Sequence, residues 1–173
     1  LNAGARLVFE TDALVIGAML GVGAIPFYVV AHSFAVYLMD FVIAIAAVVS
    51  PMATKLRTEQ RPADLVEMFL KWSKVALSLS LMVGVYLLVL GPRFLGWWID
   101  PSFEAPSGRV LQILTISSFV FLPVRGVALP VLMGVGKPKL PTVAFVVAGI
   151  VNVVLSIVLA KPLGLIGVTL GTA

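Results

Sequence analysis

Long uncharged runs alternate with short charged stretches along this chain. No formal charge falls at positions 13–39, 75–92, 110–124 or 140–160. A helix needs about 20 apolar residues to cross the hydrocarbon core of a bilayer. Glycine and proline punctuate the runs and set the element boundaries. They predict helices over residues 6–20, 26–54, 64–90, 105–133 and 141–159, with a sixth starting near Val168. Gly21, Gly23 and Pro26 mark the first turn, with Pro26 placed to begin a helix. Gly91-Pro92 is expected to end the third helix. The segment from Arg93 to Pro101 is too short to cross, and its Phe94, Leu95, Trp97, Trp98 and Ile99 predict a helical turn lying in the interface. Pro123 and Pro130 are expected to interrupt the fourth helix. Lipid cannot hydrogen-bond a bare backbone amide, so the spans must be helical. The predicted fold class is an all-α, polytopic transmembrane helix bundle.

Composition strengthens this reading. Hydrophobic residues make up 61% of the chain and charged residues 12%, and the mean hydropathy is +1.13. Soluble domains carry about 25% charged residues, so a water-facing surface could not be covered here. The net charge of +4 reflects basic residues between apolar runs and is no signal for nucleic acid. Arg6, Lys55, Arg57, Arg61, Lys71, Lys74, Lys137 and Lys139 fall on one side, against Arg93, Arg109 and Lys161 on the other. Arg125 lies within a span. The excess puts the first group in the cytoplasm and the Trp97-Trp98 segment outside. The chain starts at Leu1 and stops at Ala173 with apolar runs under way, and is expected to be a piece of a larger protein.

Ionisable residues within spans are costly in lipid, and function is the first reason to keep them. On the second helix, Tyr28, His32, Val36 and Asp40 recur every four residues and form a polar stripe. The stripe predicts a substrate or ion path; the plainer reading is a hydrogen bond that locks two helices. On the first helix, Arg6 and Glu10 are spaced to pair with each other. Asp12 lies about 200° around from Glu10. A carboxylate buried there must be protonated, meet a cation from another helix, or touch water. Arg125, bracketed by two prolines, is the candidate cation; its alternative is to snorkel to the cytoplasmic headgroups. Asn152 is expected to act mainly as interhelical glue. Gly167 and Gly171 form a pair of small residues suited to close helix contact. The chain has one His and no Cys, and no nucleophile elbow, P-loop or dinucleotide fingerprint. No enzymatic activity, metal or cofactor is expected.

Thr11-Asp12 with Ile16-Gly17, Tyr28 after a glycine-containing turn, Ser50-Pro51 closing a helix, and Pro106 to Leu114 opening another form, in this order, a series of segments. The series resembles the second half of polysaccharide-biosynthesis flippases of the multidrug/oligosaccharidyl-lipid/polysaccharide exporter superfamily. Leu132-Met133-Gly134-Val135-Gly136-Lys137-Pro138 is similar to that family's glycine-rich turn. Pro162-Leu163-Gly164-Leu165-Ile166-Gly167-Val168 is similar to a later one. The chain departs from the pattern where Pro26-Phe27 precedes Tyr28, since many relatives carry Gly there. The resemblance implies one lobe, the C-terminal one, of a two-lobed exporter fold in the cell inner (cytoplasmic) membrane. It implies a lipid-linked oligosaccharide substrate, an N-terminal lobe of the same protein as partner, contact with membrane lipid, and a central cavity with some basic lining. Arg125 and Arg6 are then the intramembrane candidates for a pyrophosphate head. The alternatives are a cation-coupled multidrug antiporter of the same superfamily, with Asp12 and Asp40 as ion or proton sites, and a non-transporting membrane scaffold. A membrane-embedded glycosyltransferase or ligase is disfavoured by the lack of a large polar loop.

Overall fold

A computed structural model describes residues 11–173, apart from the side chains of residues 123–125. Among the described residues every regular element is helical and no strand occurs. Helix α1 covers Thr11–Met19, α2 Ile25–Ala46, α3 Val49–Thr58 and α4 Pro62–Trp98. Helix α5 covers Glu104–Pro123, a π turn Val124–Ala128, α6 Leu129–Gly134, α7 Lys139–Leu163 and α8 Leu165–Thr172. The stretches Val22–Thr58, Pro62–Trp98, Pro101–Leu122 and Lys139–Leu163 are each long and apolar enough to cross a membrane. Arg6 and Glu10 lie outside the described residues.

Helices α2, α4, α5 and α7 run back and forth between two ends of the bundle. At one end α3 packs on α6 and α4 begins, which gathers Lys55, Arg57, Arg61, Lys137 and Lys139. Arg61 is paired there with Asp64 and lies 3.5 Å from Glu59. The other end is aromatic: Phe34 stands edge-on to Phe94 and to Trp98, with ring centroids 6.0 Å away in both cases, and Phe27 meets Phe103 at 4.7 Å. In that end's loop, Asp100 accepts the Ser102 amide at 2.9 Å. The Ser102 hydrogen bonds hold its carboxyl below the usual carboxylate range.

The apolar residues divide accordingly. One core cluster, including Ile16, Tyr28, Ala31, Leu95, Leu111 and Ala160, lies toward the aromatic end. A second, including Leu38, Val42, Val49, Met68 and Leu122, lies toward the basic end. Outward-facing Met82, Val85, Val89, Val143, Val147 and Val154 are exposed. In water such a surface would aggregate; in a bilayer it is the lipid contact.

Three expected boundaries move, each for a proline-related reason. Gly91-Pro92 does not end a helix: α4 continues through it to Trp98, and Trp97-Trp98 form its last turn rather than a separate interfacial segment. Pro92 cannot donate to the Leu88 carbonyl one turn back. That carbonyl instead accepts the Gln112 side-chain amide at 3.0 Å. Gly108 makes room for the ring, since a Cβ there would stand 2.6 Å from the Pro92 Cβ. The expected single helix over 26–54 is two helices with a turn at Ala47-Val48, where Pro51 cannot donate to the Ala47 carbonyl. Ser50-Pro51 therefore opens α3 and does not close a helix. Between Pro123 and Pro130 the helix is not broken but widened into the π turn, the form that accommodates an extra residue.

The two glycine-rich turns do reverse the chain. Gly136 and Gly164 take positive φ angles of 68° and 58°, which suits glycine because it has no Cβ. Gly134 lies so close to α3 that a Cβ would fall 2.5 Å from the Ser50 carbonyl. Gly167 and Gly171 let α8 lie directly on the α7 backbone at Leu159 and Ser156.

Because the chain contains no Cys, its topology can be read with single introduced thiols. In cells carrying the full-length protein, Glu59→Cys should be shielded from an impermeant thiol reagent and Ser102→Cys should be labelled. The opposite labelling would invert the orientation inferred from Lys and Arg.

Candidate functional site

A carboxylate sits at the junction of four helices. Asp12 on α1 is completely buried. It lies about 10 Å along α1 from Met19, where the chain turns into α2. The Tyr28 hydroxyl from α2 donates to it at 2.5 Å, and the Ser156 hydroxyl from α7 at 3.3 Å. The Thr172 hydroxyl from α8 donates as well. Asn152, one turn before Ser156 on α7, donates its side-chain amide to Thr172 at 3.1 Å. Burying a carboxylate costs several kcal/mol, and each hydrogen bond to a charged acceptor returns about 1.5–3 kcal/mol. The hydroxyls thus offset much of the desolvation.

The sequence expected Asp12 to be protonated, to meet a cation from another helix or to touch water; the partners that the structure shows are hydroxyls from three other helices. The candidate cation, Arg125, belongs to another level of the bundle. The neighbouring Gly126 abuts Val42, with a Cβ position 3.4 Å from its Cγ1. Val42 is about 21 Å along α2 from Tyr28. The backbone of Arg125 lies in the π turn, and its side chain is outside the description. Among the described residues no Lys or Arg lies within ion-pair distance of Asp12.

The stripe on α2 divides. Tyr28 and His32 stack, with ring centroids 5.5 Å apart and planes inclined by 18°. His32 and Val36 line a cavity, whereas Asp40 is exposed and outside its lining. Residues four apart precess by about 40° on a helix, so Asp40 has turned about 120° from Tyr28. The cavity, of about 330 Å³, lies beside the Asp12 cluster between α2, α5, α7 and α8, and also includes Ser117, Phe121, Asn152 and Thr172 in its wall. It thus brings His32 and Asn152 next to the group that holds Asp12.

Sequence reasoning missed Ser156 and Thr172. Each looks like an isolated small polar residue in an apolar helix, and such residues often bond back to their own helix. The available signals were the Asn152–Ser156 spacing of four and the small residue Gly171 beside Thr172, which lets both reach α1.

The chain is 28% identical over 175 residues to "Uncharacterized membrane protein EpsK" of Bacillus subtilis (strain 168), an alignment covering 98% of this chain and 34% of that protein. The chain therefore spans about a third of the length of this curated relative. No known family model matches the chain. No solved structure matches it. Similarity to a membrane protein and four apolar spans agree: the chain is a multi-pass, all-α membrane protein.

Proposed function

We propose that this chain is the C-terminal lobe of a membrane transporter that flips a polyprenyl-diphosphate-linked oligosaccharide across the inner membrane by alternating access. The supporting observation is the polar centre inside the bundle. A buried carboxylate, a histidine and an asparagine gather beside a cavity between four helices. A scaffold needs only packing contacts, whereas intramembrane ionisable groups beside a cavity mark transport paths. The sequence resemblance supplies the substrate class. Arg125 and Arg6 remain the candidates for the diphosphate, because a guanidinium offers a planar fork to phosphate oxygens. The second reading, a cation-coupled multidrug antiporter, is favoured by Asp12, a carboxylate held without a basic partner among the described residues.

Export by cells separates the two. Cells with Arg125→Gln in the full-length protein should lose surface glycan and accumulate its lipid-linked precursor. Arg125→Lys should restore export only in part, since it keeps the charge and loses the fork. Normal glycan export, with sensitivity to cationic drugs instead, would favour the antiporter.

A further inference from the structure

The cations at the basic end of the bundle divide into two sets. Lys55 lies 3.9 Å from Glu59, and Arg61 lies 3.5 Å from Glu59 and is also paired with Asp64. Arg57, Lys137 and Lys139 are exposed and take part in no ion pair among the described residues. The fold gathers these three. Gly134 admits the Ser50 carbonyl where a Cβ would stand 2.5 Å away, and the Thr54 hydroxyl donates to the Gly134 carbonyl at 3.0 Å. Both contacts dock α3 on the turn that joins α6 to α7. They lay the Arg57 guanidinium over that turn, with Nη1 3.0 Å from the Cβ position of Gly136. Lys137 follows directly, and Lys139 opens α7. Like charges held close repel, so folding alone gives no reason to bring these together. The Arg57 side chain offers five N–H donors and donates to no group among the described residues.

The surroundings identify the ligand. Apolar surface begins within one turn of Lys139, where Leu140 and Val143 are each 62% exposed. Val147 and Val151 continue this exposed face along α7. The stretch Lys139–Leu163 is long and apolar enough to cross a membrane, so its exposed face meets acyl chains. The three cations therefore stand at headgroup height, with hydrocarbon directly beneath. A guanidinium beside two ammonium groups suits phosphate oxygens. A soluble acidic protein would need cations that stand clear of the bilayer. A molecule with phosphate at this height and hydrocarbon below it is an anionic phospholipid, the headgroup class that basic clusters at helix ends recognise.

We propose that Arg57, Lys137 and Lys139 form a binding site for the phosphate of an anionic phospholipid whose acyl chains lie against Leu140 and Val143. The bound phosphate joins α3 to the turn between α6 and α7. The site is independent of the cargo that the protein moves.

The experiment is equilibrium binding of radiolabelled phosphatidylglycerol to the purified, delipidated full-length protein in a nonionic detergent. Saturable binding is expected, displaced by unlabelled phosphatidylglycerol and not by equal phosphatidylcholine or inorganic phosphate. Arg57→Gln should weaken it about 5-fold, and Arg57→Gln with Lys137→Gln and Lys139→Gln about 100-fold, at about 1 kcal/mol per basic residue near an anionic surface and tenfold per about 1.4 kcal/mol. Lys55→Gln with Lys71→Gln and Lys74→Gln removes as much charge from the same side and should leave binding unchanged. Phosphatidylglycerol should also raise the thermal unfolding midpoint of the unmodified protein more than equal phosphatidylcholine, a readout that needs no variant. Equal weakening by the two triple variants would reduce the effect to net charge and overturn the proposal. So would unchanged binding by the folded Arg57, Lys137 and Lys139 variant, displacement of the lipid by equal inorganic phosphate, or displacement by polyprenyl diphosphate far more effective than by phosphatidylglycerol.

Discussion

Gly171→Leu in the full-length protein should prevent folded protein from accumulating. A Cβ at this position meets the Ser156 hydroxyl and lies 2.7 Å from the Ser156 nitrogen and 3.0 Å from its Cα. Two of these atoms are backbone in the middle of α7, so no rotamer change relieves the contact. Overpacking a well-filled interior costs about 1–3 kcal/mol when side chains can yield, and more when they cannot. A loss above about 3 kcal/mol is expected. The same displacement would carry Ser156 and Thr172 away from Asp12, so packing and the polar site fail together. Gly23→Ala provides the contrast. No atom lies within 4 Å of its Cβ position, and its yield and unfolding midpoint should match the parent. Yield and monodispersity in detergent, followed by thermal unfolding, check both. A folded Gly171→Leu protein with a normal midpoint would contradict the α7–α8 contact described here.

The second large effect is expected from stripping donors off Asp12. Tyr28→Phe removes the 2.5 Å hydrogen bond and nothing else of the ring's volume. Thr172→Val removes another donor and leaves the Asn152 amide without its acceptor. Each should lower stability by about 1.5–3 kcal/mol. Because both hydroxyls serve one carboxylate, the double variant should depart from the sum of the singles, as contacting residues do. Unfolding midpoints of the four proteins in one detergent measure this. Neutral single variants would mean that the hydroxyls do not support a charged Asp12.

What the sequence revealed and what it hid follow from the range of the forces involved. The spans were legible because apolar length is a local property: 141–159 lies within α7, and 105–133 matches α5, the π turn and α6 together. The proline boundaries were less legible. Pro92 behaves as a stop in isolation, and what keeps α4 going is Gln112, on a different helix. Asp12 stood out as a lone intramembrane acid. Its partners Tyr28, Ser156 and Thr172 lie up to 160 residues away in sequence, so no spacing rule could assign them. Asp40 was grouped with His32 through a spacing of four, but helical drift over three turns carries it away from the cavity that His32 lines.

The central claim is that this lobe belongs to a protein that moves a lipid-linked sugar between leaflets. The most direct measurement is leaflet transfer of a polyprenyl-diphosphate-linked oligosaccharide in liposomes containing the purified full-length protein. Lectin or enzyme access from one side reports which leaflet holds the sugar. The account predicts transfer that depends on the protein and falls sharply in Arg125→Gln. Folded, inserted protein that leaves the labelled lipid in its starting leaflet, while exchanging a cationic drug for an ion, would contradict it.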